Sequence, residues 1–135
     1  MIDPKKYAEF VDAVISKESK DYISFNSRCF ELQSGENAIP IERLLTAALG
    51  MGAEAGEFTE VVKKMIFQGK PVNDENLFHL KRELGDVMWY VMQACMALDV
   101  SLDEVIEMNI DKLKSRYPGG EFDAHYSENR KQGDL

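Results

Sequence analysis

Apolar residues recur along this chain at helical spacing, and no stretch alternates at period two over a useful length. Tyr7, Phe10, Val11, Val14 and Ile15 line one side of a first helix, opened by Asp3 as a cap and by Pro4 at the first helical position. Ser16 to Lys20 is polar and ends it. Tyr22 to Leu32 fits either a short second helix or a packed loop, with Ile23, Cys29, Phe30 and Leu32 as its apolar residues. Ser34-Gly35-Glu36-Asn37 is a turn signal, after which Pro40 starts a helix that runs from Ile41 to about Phe67. Gly50, Gly52 and Gly56 weaken that helix, each by about 1 kcal/mol against alanine where exposed. Gln68-Gly69-Lys70-Pro71 ends it, and Asn73-Asp74-Glu75 caps the next, which reaches about Leu98. Ser101-Leu102-Asp103-Glu104 has the spacing of a capping box. It opens a last helix that reaches about Tyr117 and is stopped by Pro118-Gly119-Gly120. The pattern predicts one all-α domain over 1–135, with four main helices packed as a bundle or as helix hairpins. Its core spans about 40–117, and 118–135 is expected to be an irregular tail, frayed at Lys131-Gln132-Gly133-Asp134-Leu135.

Two acid pairs break the apolar stripes. At about 100° per residue, Leu44, Ala47, Met51, Phe58, Val61, Val62 and Met65 form one arc of the third helix. Glu54 lies within the edge of that arc, and Glu57 stands on its shoulder, roughly 60° further round. On the following helix Leu80, Leu84, Val87, Val91, Ala94 and Leu98 form the stripe, with Glu83 at its edge and Asp86 on the same-handed shoulder. A carboxylate on a buried stripe costs several kcal/mol unless it is neutral, paired or bound to a metal. Converging acids also repel one another. A hard divalent cation removes both costs, and an all-oxygen donor set suits Mg²⁺ or Mn²⁺. The plainer alternative is that the acids face outward and are solvated, as a single Glu-x-x-Glu on a charged helix usually is. Gly56 and Gly85 occupy matching positions, each preceding the second acid of its pair, and expose backbone that another helix could approach.

Composition narrows the partners. The 135 residues are 44% hydrophobic and carry a formal net charge of −8. That balance excludes a nucleic-acid polymer as partner but admits a nucleotide whose charge is bridged by a cation. Cys29 and Cys95 lie in apolar surroundings and read as two buried free thiols in a reducing compartment. No basic-then-apolar leader opens the sequence, and the apolar run 87–98 is too short to span a bilayer. A cytoplasmic location without membrane contact is the expectation.

The last helix adds cations. Leu102, Val105, Ile106, Ile110 and Leu113 make its apolar face, and Asn109, Lys112 and Arg116 form a stripe on one shoulder, directed at a crevice. Such a stripe serves either as snorkelling side chains or as contacts to phosphate oxygens. Lys63 and Lys64, beyond Glu57, are further candidates. His79 precedes Glu83 by four residues, but no Glu-x-x-His occurs and a di-iron carboxylate bundle is not supported. Trp89, Met88, Met92 and Met96 read as core, with a subunit interface as the alternative for the methionines and base stacking as the alternative for Trp89.

Taken together, Glu54-x-x-Glu57, Glu83-x-x-Asp86 and Asn109-x-x-Lys112-x-x-x-Arg116-Tyr117-Pro118 resemble the MazG-like branch of the all-α nucleoside triphosphate pyrophosphohydrolases. The resemblance covers about residues 40–120. It implies helix hairpins completed by oligomerisation, as a homodimer or homotetramer with sites near subunit contacts. It also implies Mg²⁺ held by Glu54, Glu57, Glu83 and Asp86, and cleavage of a (d)NTP to the monophosphate and pyrophosphate. Lys112 and Arg116 would then hold β and γ oxygens, Asn109 would orient a phosphate or sugar, and Lys63 would be a weaker substrate contact. One acid would take the attacking water's proton, and Glu57 is the candidate. Narrower members acting on dUTP, dCTP or phosphoribosyl-ATP are alternatives, as is a non-catalytic helical module that binds a protein.

Overall fold

A computed structural model describes residues 2–134, and all regular structure among them is helical. Helix α1 spans Pro4–Val14, with the Asp3 carboxylate accepting from the Lys5 N–H at 3.0 Å. A single 3₁₀ turn, Lys17–Ser19, leads to α2, Tyr22–Leu32, whose cap Asp21 accepts from the Ser24 N–H at 2.8 Å and its hydroxyl at 2.7 Å. The ambiguous second segment is therefore a helix. Helix α3 runs over Ile41–Phe67, with Pro40 at its cap. Gly69 then takes a left-handed backbone (φ +68°), and the Lys70 N–H bonds the Lys64 carbonyl at 3.1 Å.

Helix α4, Asp74–Leu98, opens on Asn73, whose side chain accepts from the Asn76 N–H at 2.9 Å. Asn76 is itself buried, and its amide donates to the Pro71 carbonyl at 2.8 Å, which ties the connecting loop to the helix start. The expected Ser101 cap opens α5, Leu102–Arg116, by accepting from the Glu104 N–H at 3.1 Å. One short helix, α6, Ala124–Glu128, lies inside the stretch expected to be irregular and is capped by Asp123. Of the frayed end, Leu135 falls outside the described residues.

The molecule is organised around an antiparallel hairpin of α3 and α4, among the described residues the one pair of long helices that packs extensively. The core residues Ala47, Val61, Cys95 and Ala97 lie on these two helices. Small side chains let the axes close in. A Cβ on Gly50 would overlap the ring of Tyr90, so the absence of a side chain there lets that ring of α4 seat against α3. By contrast, no atom lies within 4 Å of a Cβ built on Gly56 or Gly85. The close approach expected at those two positions is therefore not made within the chain.

Outside the hairpin the apolar faces are present but uncovered. Helices α1, α2 and α5 contain no buried residue. Trp89, expected in the core, is 66% exposed, and Met88, Met92 and Met96 lie open beside it. Arg43 of α3 reaches this side of α4, its Nη1 donating to Met96 Sδ at 3.3 Å, but it leaves most of the apolar surface open. Leu84 and Leu98 of the expected stripe are exposed as well. Cys95 is buried as expected, whereas Cys29 is only half-buried because α2 has little packed against it. No helix among the described residues is long and apolar enough to cross a membrane.

Candidate metal centre

The α3–α4 hairpin brings carboxylates from both acid pairs together. Glu54 of α3 and Glu83 and Asp86 of α4 each present an oxygen, and the three oxygens lie within 4.8 Å of one another. Glu54 and Glu83 are half-buried and Asp86 is exposed, so the group sits at the rim of the helix interface. This is the placement the stripes predict, with each first acid at the buried edge and each second acid on the shoulder. Three carboxylates so close, in the described residues, are an oxygen-only donor set that fits a hard divalent cation.

Glu57 is exposed and stands outside that group. Counting along α3 and back along α4 from the Gly50–Tyr90 contact sets Glu54 level with Asp86 and Glu57 level with Glu83. By this count each acid of α3 has an acid of α4 at about its own height on the hairpin, yet Glu57 lies outside the three-carboxylate group.

His79 does more than the sequence pattern credits it with. Its Nε2 lies 2.7 Å from Glu83 Oε1, a contact that fixes one oxygen of a half-buried carboxylate. The i, i+4 spacing of His79 and Glu83 is the signal that could have found it. On its other side, His79 borders a groove of about 320 Å³ lined also by Lys70, Glu75, Asn76, Phe78 and Arg82.

The cationic stripe is placed differently. Asn109 and Lys112 line a cavity of about 560 Å³ together with Met108, Ser115 and residues 131–134. Arg116 stands beside it and is held by Asp134. Helix α5 does not pack extensively on α3 or α4, so the acids and the cations occupy separate parts of the chain. Lys63 is exposed, and neighbouring Lys64 is engaged by Glu60 at 2.8 Å, which holds the Glu60 carboxyl below its ordinary value.

Comparison with known proteins matches the profile of the MazG nucleotide pyrophosphohydrolase domain to residues 43–120. The chain belongs to that family. The matched span contains both acid pairs, the hairpin but for the first two residues of α3, and all of α5, and leaves α1 and α2 outside the MazG domain. The sequence is also similar to the Gene 37 protein of Mycobacterium phage L5, with 44% identity over 81 residues, covering 59% of this chain and 71% of the phage protein. No solved structure is matched. The expected resemblance and the all-α architecture are thereby met, and the acid group lies in the part of the chain that defines the family.

Proposed function

We propose that this protein is a divalent-metal-dependent pyrophosphohydrolase that cleaves a nucleoside triphosphate to the monophosphate and pyrophosphate. The observation that carries the reading is the meeting of Glu54, Glu83 and Asp86 at the rim of the hairpin inside a MazG domain. These three residues, joined by Glu57 through a change of its side-chain direction, would hold Mg²⁺ or Mn²⁺. When bound, the cation would neutralise the polyphosphate and activate a water. Glu57, exposed and level with Glu83, is the candidate to take the water's proton. His79 keeps Glu83 oriented. Lys112 and Arg116 bind phosphate oxygens, Asn109 orients phosphate or sugar, and Lys63 is a weaker contact.

A second copy of the chain completes the arrangement in this reading. Exposed Trp89, Leu49, Phe10 and Phe78 leave more apolar surface open than a single chain keeps in water. A homodimer or homotetramer would cover those faces and bring an α5 over a hairpin. Light scattering should report an oligomer at micromolar concentration, and a monomer there would remove this part.

The reaction is tested with a panel of nucleoside triphosphates and Mg²⁺, measuring pyrophosphate and orthophosphate separately. Pyrophosphate in equal amount to monophosphate is expected. Orthophosphate alone would place the cleavage at another bond, and no turnover of any triphosphate would favour a helical binding module.

A further inference from the structure

Arg116, the last residue of α5, has its guanidinium fork already filled. Its Nε donates to Asp134 Oδ2 at 2.7 Å and its Nη2 to Asp134 Oδ1 at 2.6 Å, with both side chains 13% exposed. Around that pair, residues 131–134 are folded against α5. The Asp134 N–H bonds the Lys131 carbonyl at 3.0 Å across Gly133, whose φ of +89° makes the turn that aims the carboxylate. Lys131 Nζ donates to the Ser115 carbonyl at 3.3 Å and supplies a second tie. Residues 131–134 thus form one wall of the cavity whose other wall carries Asn109 and Lys112.

A carboxylate and a phosphate present the same two-oxygen edge to a guanidinium. We propose that Asp134 is an internal competitor for substrate phosphate, an autoinhibitory contact that occupies Arg116 until a polyphosphate displaces it. The inference rests on reading the α5 stripe as phosphate-binding. Hydrogen bonding to Arg116 holds the Asp134 carboxyl below its ordinary value, and the same bond raises Arg116, so the pair stays ionised at neutral pH. Displacement is then a competition between anions.

The competing possibility is that Asp134 positions Arg116 for the substrate, and the two make opposite predictions. Inorganic pyrophosphate, titrated calorimetrically with Mg²⁺ into the full chain, is the probe. Asp134→Asn is expected to tighten its binding roughly three- to tenfold, by raising the fraction of chains with Arg116 available. Arg116→Ala should weaken binding, and the double variant should match Arg116→Ala alone, because Asp134 acts through Arg116. Asp134→Glu should stay near wild type, and circular dichroism should show all variants equally helical. Unchanged or weaker binding by Asp134→Asn, with Arg116→Ala still weak, would overturn the competitor role and leave Arg116 as a phosphate ligand. Wild-type binding by Arg116→Ala would remove the phosphate reading itself, and the competitor with it.

Discussion

The hairpin and the α5 region hold charge in two different ways. On the hairpin, Glu54, Glu83 and Asp86 stand on two long helices whose contact is fixed by Ala47, Val61, Cys95, Ala97 and the Gly50–Tyr90 approach. Their positions are set by packing, before any ligand arrives. On α5, the cations stand on a helix with no buried residue, and Arg116 is fixed by one ion pair to Asp134. Its position is set by a side-chain contact rather than by packing. The acids are therefore preorganised and mutually repelling, a state that a cation relieves. The cation beside the cavity is compensated by Asp134, a state that, on the competitor proposal, a substrate anion would have to undo.

The sharpest break of this comparison is removal of a charge from the acid group. Glu83→Gln and Asp86→Asn should each lower turnover at least about a hundredfold, since a catalytic metal supplies several kcal/mol of transition-state stabilisation. Glu57→Gln should do the same although it stands apart from the group here, because it is level with Glu83 across the hairpin. Full activity in Glu57→Gln would limit the metal site to three acids and move the proton acceptor elsewhere. His79→Ala should act more mildly. Losing the partner of a ligating carboxylate should weaken metal affinity by about ten- to a hundredfold, read by Mn²⁺ binding in electron paramagnetic resonance. Unchanged affinity would make the 2.7 Å contact incidental.

Packing is tested by two neighbouring glycines. At Gly50 an added methyl meets the Tyr90 ring, so Gly50→Ala should destabilise by about 1–3 kcal/mol even after the gain in helix propensity. At Gly52 nothing lies within 4 Å, and Gly52→Ala should stabilise by up to about 1 kcal/mol. Thermal melts decide both. If Gly52→Ala lowered the midpoint instead, another surface, such as a second copy, would lie against that side of α3.

Much of this difference could be read in the chain beforehand, and the parts that could not have physical reasons. The hairpin helices were legible because their stripes are long and their ends carry strong signals, such as Asn73 and Gly69. The three interior glycines of α3 did not break it, since packing against α4 outweighs their propensity. Helix α6 was not legible, as five residues give no period to detect. Trp89 was misplaced because hydrophobicity predicts what a residue prefers, not which neighbour arrives to cover it. The acid pairs are near copies in sequence, yet Glu57 lies outside the group that includes Asp86, since the pattern gives a residue's angle on its helix and not where its side chain ends. The Arg116–Asp134 contact joins residues 18 apart across α6 and its flanking loops and has no local signature.

The smallest effect concerns that contact, and it separates the two regions by pH. Asp134 is lowered chiefly by its hydrogen bonds from Arg116, with Lys112 and Arg130 adding to the same direction. A carboxyl lowered in the folded state contributes its stabilisation fully above its unfolded value, near 3.9 in reference peptides, and loses it as pH falls through the folded value. The contact should therefore be constant from neutral pH down to the ordinary carboxylate range and open only below it. Arg116 has an Nε–H that solution NMR can follow, and its exchange with water should stay slow down to that range and then quicken. Because residues 129–134 contribute little to the buried core, circular dichroism of the helices should not change in step with it. Loss of the Arg116 signal near pH 6 would mean that something other than the Asp134 carboxylate holds the guanidinium. Simultaneous loss of helix would mean that α5 and the hairpin are one cooperative unit, and the contrast between preorganised acids and a displaceable cation would fail.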